Sequence, residues 1–517
     1  MRRIRMGRRV ANRHSHSKPV RAELVEALSF LFAVAKKERP FDKLRANGLY
    51  SRLNALCFIA APLVLAGCSL APKTVLPAPP VPESWPVGDA YLEASEAALP
   101  LLSYKQIFTD PRLQALIEAA LVNNRDLRTA YANVVAARAQ VRVSRAAQFP
   151  AIGASAGAGY SDGGDREGSA DFSLQGGVTG FELDLFGRLA NATEAERNRA
   201  LATEAAARTV RLALIADLAD AWATYGADRD LLAIAEDTAA NARESVRLTR
   251  ARLDGGVAPR TDLRQAEQIL ASAEELIAVQ TSAIAQDENL IRLLAGGDVD
   301  RAQLPAGLDE VVPAVAPLPA GVSSQILLRR PDVIAAEYEL RAANADIGVA
   351  RAQLFPTISL TGLFGFASDA LSSLFDGGSF GWSAGADASA SIFDFGGRRA
   401  AVAVSEAQRD AALASYEGAI QTAFREVADA LAVQGTIAER VRAAAANREA
   451  AADSAALTEA RYKGGIDSFL ASLVVQRSLY TARSSEVATR LLLAQTRIAL
   501  FRALGGDSEA GAGSTAD

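Results

Sequence analysis

The sequence predicts a mixed α and β fold in which long antiparallel helices and pairs of strands occur twice. A Phe-Pro pair separates a helical pattern from an alternating one at Phe149-Pro150 and again at Phe355-Pro356. Proline cannot continue a helix, and it pushes the preceding residue towards extended conformations, so each pair marks a boundary between a helix and a strand. After each alternating segment comes a long helical pattern without proline. These proline-free stretches cover 188–253 and 398–463.

The repeat extends well beyond the Phe-Pro pairs. The segment Phe181-Glu-Leu-Asp-Leu-Phe-Gly-Arg188 is answered by Ser391-Ile-Phe-Asp-Phe-Gly-Gly-Arg398, and Arg252-Leu-Asp-Gly-Gly-Val257 by Arg461-Tyr-Lys-Gly-Gly-Ile466. The spacing of roughly 205–210 residues is far above the period of stacked repeats, so the chain contains a duplicated half. The predicted repeats span 99–297 and 326–505, with an irregular Pro-rich linker at 298–325 and a disordered tail at 506–517.

The first 67 residues differ from the rest of the chain. Residues 1–50 are basic and are predicted to be an extension created by a start site placed too early, with a genuine basic leader as the alternative. Residues 51–67 have the pattern of a secretory signal peptide, whose apolar core is too short to span a membrane. They end in Leu65-Ala66-Gly67 before Cys68, which resembles the bacterial lipobox and implies acylation of the Cys68 thiol. An ordinary signal followed by an incidental cysteine is the alternative.

Removal of this segment changes the charge of the protein. Residues 1–67 hold 14 of the 55 basic and 4 of the 60 acidic residues, so the chain from Cys68 onwards carries 41 basic and 56 acidic residues. A net charge of −15 argues against nucleic acid as a partner. This part of the chain has no histidine and no cysteine besides Cys68, which excludes disulfides, His-ligated metals, Ser-His triads and cysteine nucleophiles.

The helical patterns differ in length. Residues 68–98 are predicted to be a lipid-anchored, Pro-rich, extended tether. At about 1.5 Å per residue, the long stretches give helices of roughly 100 Å, and two shorter helices stacked end to end match that length in each half. Thr261 or Asp262 is predicted to cap one of the shorter helices. The predicted helices cover 99–123, 124–148, 188–253, 261–295, 331–354, 398–463 and 467–504.

Two strand candidates lie between the helices of each half. Their alternation shifts parity near Gly180, which predicts a β-bulge. Alternating segments of about ten residues suit membrane strands, but two hairpins leave an open edge that lipid does not tolerate, so several copies must combine. A soluble two-hairpin sheet is the alternative and would be marginally stable. The predicted strands cover 151–160, 170–185, 357–366 and 380–395.

These features together resemble the outer membrane factor family of TolC-like export ducts, in its OprM/NodT-type lipoprotein branch. The resemblance covers roughly residues 68–505 and is carried by Cys68, by the Phe-Pro pairs and by Arg329-Arg330-Pro331-Asp332. It implies a TolC-like trimeric α/β barrel with four membrane β-strands per chain, on a long periplasmic antiparallel α-helical barrel. It also implies that Arg329-Arg330-Pro331-Asp332 is structural, at the start of a helix. Ser69, where an aspartate would favour retention, is typical of outer membrane lipoproteins.

The family closes its periplasmic end where paired helices bend inward, and the Gly-Gly turns mark that end. The resemblance implies gate roles for Thr261, Asp262 and Tyr462, whose alternative roles are a helix cap and a packed aromatic. The chain departs from the family at Asp467, where TolC has an arginine. It also has Ala471 and Val474 where relatives place a ring of aspartates. An apolar constriction of this kind gates by dewetting and predicts weak block by multivalent cations.

The implied function is a passive exit duct of a tripartite efflux system. Its implied partners are two further copies of the chain, a periplasmic adaptor, an inner-membrane pump of the RND type and outer membrane lipid. No cofactor is expected beyond the lipid on Cys68. The chain has no Walker-type motif, and no residue set indicates an enzyme. The alternatives are the outer membrane duct of a type I protein secretion system and a periplasmic coiled-coil lipoprotein without a pore, against which the strand pairs argue.

Overall fold

The computed structural model describes residues 69–73, 77–82, 85–86, 103–162, 168–317 and 324–506. The predicted leader, the signal peptide, Cys68 and nearly all of the predicted tail lie outside these residues. Within them the mixed α and β fold and its internal duplication are confirmed, because each half has a helix, two strands, a helix of 67 residues and a further helix, in that order. Among the described residues, no helix is both long and apolar enough to cross a membrane.

The elements of the first half are α1 (Tyr104–Ile107), α2 (Pro111–Asn123), α3 (Arg125–Ala146), β1 (Ile152–Ser161), β2 (Ser169–Glu182), α4 (Arg188–Asp254) and α5 (Arg260–Ala295). A short helix, α6 (Leu308–Ala314), lies between the halves. The elements of the second half are α7 (Pro331–Ala352), β3 (Thr357–Ser368), β4 (Phe380–Ser389), α8 (Gly397–Lys463) and α9 (Phe469–Ala503). Short 3-10 helices cover Arg301–Gln303, Ser324–Arg329 and Leu371–Ser373.

Two predictions about the connecting segments are corrected. The helix predicted at 99–123 is divided into α1 and α2, because Phe108 leaves the helix to form an antiparallel bridge with Val315 and Asp110 then caps α2. The segment predicted to be irregular at 298–325 contains α6, which packs against α4 and α9. Both corrections have one cause, since the bridge brings these two connecting segments together.

The strands form one antiparallel sheet in the order β1-β2-β3-β4, so that β2 and β3 join the two halves. The predicted bulge is confirmed, because the pairing register shifts between Val178 and Phe181 and Gly180 has a φ of 66°. β2 and β4 end earlier than predicted. The reason is that Asp184 accepts a hydrogen bond from the Ala190 amide (2.8 Å) and Asp394 from the Gly396 amide (3.0 Å), which turns the chain into α4 and α8.

The two long helices have different numbers of neighbours. α4 packs against α3 and α5 of its own half and against α7 and α9 of the second half, whereas α8 packs mainly against α7 and α9. Twenty-four residues of α4 are buried and nine of α8, although the helices are equally long. Among the residues that the structure describes, one flank of α8 is therefore uncovered.

The shorter helices are stacked end to end, as their lengths predict. Asn124 caps α3 by accepting a hydrogen bond from the Leu127 amide (3.0 Å), and its Nδ2 donates to the Leu294 carbonyl near the end of α5 (3.0 Å). Gly296, which has a φ of 75°, ends α5 beside this junction, where an added Cβ would lie 2.6 Å from the Asn123 carbonyl carbon. One amide side chain thus joins two helix ends that are far apart in sequence.

The main apolar core lies around α4, where the helices α1, α2 and α6 pack together with the longer helices. Trp222 of α4 is fully buried, and its Nε1 donates to the Gln303 carbonyl (3.0 Å). Phe108 packs edge-on against Phe501 of α9, with ring centres 5.3 Å apart. Val81 and Trp85 of the Pro-rich segment also pack against this core, and the Trp85 ring stacks on Phe424 of α8 at 4.9 Å.

Candidate functional site

Two helical hairpins form the candidate site, at the end of each long helix that lies away from the strands. At the first, the Val257 amide donates to the Arg252 carbonyl (2.9 Å) and the Gly256 amide to the Leu253 carbonyl (2.9 Å). This pattern closes a helix through a left-handed residue, and Gly256 has a φ of 72°. The second hairpin has the same bonds from Ile466 and Gly465, so the Gly-Gly repeat encodes the same turn twice.

The two hairpins contact each other through Arg252 and Tyr462. The guanidinium carbon of Arg252 lies 4.5 Å from the centre of the Tyr462 ring, and its Nη2 donates to the Tyr462 and Lys463 carbonyls at 3.3 and 3.4 Å. Those carbonyls end α8, where a positive charge is favoured. Tyr462 is only 7% exposed and packs on Phe469 with ring centres 5.5 Å apart. Arg252 therefore combines a cation–π contact with charge at a helix end.

Asp467 is paired inside its own hairpin. Its carboxylate accepts two hydrogen bonds from Arg461, at 2.7 Å from Nε and 2.9 Å from Nη2. This bidentate pair lowers the pKa of Asp467 and raises the pKa of Arg461. Arg461 is the repeat equivalent of Arg252, yet its guanidinium is held by Asp467 instead of reaching a second hairpin.

Thr261 and Asp262 lie on the first turn of α5, and the prediction that one of them caps this helix is wrong. The helix begins at Arg260 with Pro259 at the capping position, because the extended backbone of Pro259 leads directly into the first turn. The Thr261 hydroxyl donates to the Asp262 carboxylate over 3.5 Å. Thr261 is exposed and Asp262 is half-buried.

Val474 lies one turn after Leu470 near the start of α9, at the same end as the hairpins. Leu470 is 60% exposed and Val474 is 57% exposed, whereas Ala471 between them is half-buried. Residues four apart lie on one face of a helix, so these two apolar side chains form an exposed stripe. Within the described residues, no group of three or more acidic, histidine or cysteine side chains is placed to hold a metal ion.

In the motif Arg329-Arg330-Pro331-Asp332, Arg330 is the arginine that is buried and contacts other helices. Pro331 is the first residue of α7, and the buried Arg330 guanidinium donates to Asp332 (3.0 and 2.8 Å), to Glu426 of α8 (2.8 Å) and to the Ala503 carbonyl at the end of α9 (2.7 Å). Burial opposes the charged form, but the hydrogen bonds to Asp332 and Glu426 outweigh it, so the pKa of Arg330 is raised. Arg330 joins α7 to α9 as Asn124 joins α3 to α5. Arg329 is exposed.

The Phe-Pro pairs lie where helices pass into strands. Pro150 precedes β1 and Pro356 precedes β3. Phe355 stacks on Phe186 of the first half with ring centres 4.5 Å apart, and Phe149 is exposed. The sequence flagged Arg252 and Arg461 only as members of a repeat. Their different partners depend on which hairpin lies beside each, and the sequence does not specify that neighbour.

Known proteins match this chain over most of its length. A family model described as "Outer membrane efflux protein" matches residues 116–297 and 322–506. The antibiotic efflux pump outer membrane protein ArpC of Pseudomonas putida is 39% identical over 452 residues, which is 86% of this chain and 93% of the relative. The solvent efflux pump outer membrane protein SrpC of the same species is 38% identical over 454 residues, 86% and 96% of the two chains.

Solved structures have the same fold. The open state of the Neisseria gonorrhoeae MtrE outer membrane channel aligns with a TM-score of 0.76 at 31% identity, over 85% of this chain and 98% of that one. The outer-membrane channel OprN aligns with a TM-score of 0.76 at 32% identity, over 85% and 99% of the two chains. The alignments therefore extend over nearly the full length of both channel chains.

Proposed function

This chain belongs to the outer membrane efflux protein family, and we propose that it is the exit duct of a tripartite efflux system, passively conducting small molecules or drugs. An inner-membrane pump of the RND type delivers the cargo through a periplasmic adaptor. The observation that carries the proposal is the match of both halves to relatives named as efflux pump outer membrane proteins. Their names specify antibiotics and solvents, which points to small, mainly apolar organic molecules as cargo.

The chain lies in the outer membrane of a Gram-negative bacterium, with its helices extending into the periplasm. Its role in the proposed system is conduction, and the energy for transport comes from the pump. The proposed duct therefore takes no cofactor and has no catalytic residue. The proposed covalent lipid on Cys68, which lies outside the described residues, anchors the chain to the membrane that the strands occupy.

The proposed assembly is a homotrimer, supported by surfaces that a single chain leaves open. β1 and β4 are the edges of the sheet, and an exposed edge invites pairing with another chain. The uncovered flank of α8 corresponds, through the internal repeat, to the flank of α4 that the next half covers. In a ring of copies the next half is α3 and α5 of a neighbour, so one contact covers the flank and joins β4 to β1.

Exposed apolar side chains lie along the same edge. Large exposed apolar patches mark surfaces that are covered by lipid or by another protein. Three rings in this group are at least 74% exposed in the single chain, which favours an assembly that covers them. The residues concerned are Phe380, Trp382, Ile392, Phe393 and Phe395.

The proposed gate lies at the two hairpins. In this gate Tyr462 and Asp467 fix the second hairpin, and Thr261 and Asp262 lie beside the first, on the first turn of α5. Val474 with Leu470 forms the narrowest, apolar part of the proposed duct. Apolar constrictions close by expelling water, without any covalent or ionic barrier. The exposed stripe on α9 supports this assignment, and the hairpin tips are the proposed contact surface for the adaptor.

A deletion strain tests the proposed function. The strain is exposed to organic solvents, antibiotics, dyes, detergents and metal salts, with and without complementation by the intact gene. We expect hypersensitivity to solvents or antibiotics that complementation reverses. Unchanged resistance together with loss of a secreted polypeptide would instead assign the chain to protein secretion.

A further inference from the structure

The segment that follows residue 68 lies in a groove between α4 and α7, and both helices hydrogen-bond to it. The Ser69 hydroxyl donates to Asn191 Oδ1 of α4 (2.9 Å), and Asn344 Nδ2 of α7 donates to the Pro72 carbonyl (2.6 Å). Arg351, also on α7, donates from Nη1 to the Leu70 carbonyl (3.4 Å). Two helices from different halves therefore bind four consecutive residues, 69–72.

The groove is shaped for close approach of this segment. An added Cβ at Gly348 of α7 would lie 2.6 Å from Asn191 Nδ2 and 2.9 Å from the Ala71 Cβ. A glycine at this position lets the α4 amide, the α7 backbone and the incoming segment meet at one point. A methyl group there would force at least one of the three apart.

The two asparagines that hold the segment are unusual for their location. Each is 6% exposed within helices that otherwise pack mainly through alanine. A buried amide costs free energy unless it is hydrogen-bonded, and asparagine is a poor residue for a helix interior. Asn191 Nδ2 has no hydrogen-bond partner among the described residues, so packing of α4 against α7 alone does not explain the amide. The bond that Ser69 donates to Asn191 and the bond that Asn344 donates to Pro72 explain why asparagines are buried at these two positions.

The groove lies where the helices meet the strands. Asn191 is the fourth residue of α4, about 5 Å from its start at 1.5 Å per residue, and Arg351 is the penultimate residue of α7. At about 3.1 Å per residue, a free chain from Cys68 to α1 would reach roughly 110 Å and would allow the anchor a wide range of heights. Binding instead holds residues 69–72 where α4 begins and α7 ends.

We propose that this groove is a docking site for the lipidated N-terminus, which fixes the acyl chains at the level where the helical wall meets the membrane strands. The inference rests on the proposed lipid anchor at Cys68. The described residues of the Pro-rich segment are bound at a second place as well, since the Trp85 ring stacks on Phe424 of α8. Ser69 has a direct contact in the folded protein besides any part in sorting.

Trypsin measures the docking directly. Lys73 is the only lysine or arginine between Ser69 and Tyr104, so cleavage after Lys73 reports release of residues 69–73. The purified full-length protein in detergent micelles is digested under native conditions. We expect the double variant N191A/N344A to be cut at Lys73 at least tenfold faster than the wild type, and S69A to be cut severalfold faster.

The matched control is N198A. Asn198 has the same burial, lies two turns further along α4 and lines the same cavity of about 400 Å³, but it donates to the Glu194 carbonyl of its own helix (2.9 Å). It should leave cleavage at the wild-type rate. Equal rates in wild type, S69A and N191A/N344A would overturn the proposal, and so would equal acceleration by N198A. S69A keeps the test valid if the double variant folds poorly, because it removes one hydroxyl.

The same digestion separates docking from lipidation. The released peptide ends at Lys73 and carries residue 68, so its mass states whether Cys68 is acylated. A peptide without lipid would contradict the proposed anchor while the rates still report the docking. A lipidated peptide released equally fast from all variants would contradict the docking while leaving the proposed anchor intact.

Discussion

Arg252 of the first hairpin lies over the ring of Tyr462 in the second, with 4.5 Å between the guanidinium carbon and the ring centre. This contact joins α4 to α8 at the end opposite the sheet. Its repeat equivalent, Arg461, is bound to Asp467 in its own hairpin. The two arginines occupy matching turns, so the difference lies in their partners.

The variant R252A should loosen the two hairpins from each other. A cation–π contact of this kind contributes about 1–2 kcal/mol, which corresponds to a roughly five- to thirtyfold shift towards the open duct. Single-channel recordings in planar bilayers give the open fraction. R250A is the control, because Arg250 pairs with Glu267 on an exposed surface at 2.8 Å. An open fraction unchanged in R252A would separate this contact from gating.

The variant V474D should create a cation site in the duct. Three copies place three carboxylates at the constriction, where a trivalent cation binds several acidic side chains at once. We expect block by hexamminecobalt to be at least tenfold tighter in V474D than in the wild type, measured as the concentration that halves conductance. V257D is the control, because it places a carboxylate in the exposed turn of the first hairpin. The opposite result would be tight block of the wild type that is lost when another acidic residue is changed. It would place the cation-binding ring of carboxylates at that residue.

The variant R330M should destabilise the fold strongly. It leaves Glu426, Asp332 and the Ala503 carbonyl without their shared donor. Because the Asp332 and Glu426 side chains are 36% and 41% exposed, the loss is that of charge-assisted hydrogen bonds, about 1.5–3 kcal/mol. Thermal unfolding of the purified protein measures the loss. The neighbouring R329A should change stability by less than about 0.5 kcal/mol, because Arg329 is exposed. Similar losses in both variants would contradict the assignment of the motif to Arg330.

The carboxyl pair of Asp228 and Asp287 should make stability depend on pH. Burial and, after it, the negative charge of Asp228 together raise the pKa of Asp287 to about 7. The folded protein therefore binds a proton more tightly than the unfolded chain, so stability falls as the pH rises from about 4 to about 7. The charge of Asp287 also acts on Tyr225, as do the charges of Arg229, Glu288 and Arg301.

The variant D287N should remove this dependence. An amide stays neutral, so the unfolding temperature at pH 8 should rise by about 2–4 °C relative to wild type, and the difference should vanish near pH 4. Unfolding temperatures between pH 4 and 8 measure it. D237N is the control, because Asp237 lies on α4, as Asp228 does, but in a half-exposed pair with Arg483. A wild-type profile that is flat between pH 4 and 7 would contradict the raised pKa of Asp287.

The sequence by itself determined the elements and their order. Hydrophobic periodicity, proline and glycine act over a few residues, so the Phe-Pro boundaries, the Gly-Gly turns and the bulge near Gly180 were predictable from local rules. The internal repeat then showed that the same set of elements occurs twice. Errors fell where a distant partner decides the outcome, as at Phe108, which leaves its helix to pair with Val315.

Only the tertiary structure decided which side chain meets which. Arg252 and Arg461 stand in matching sequences, and their partners differ because a second hairpin lies beside the first while Asp467 lies beside Arg461. Asn191 and Asn344 are 153 positions apart and bind one segment because α4 and α7 pack together. Contacts of this kind depend on chain topology, which local propensities do not encode, and they place the gate candidates and the docked N-terminus.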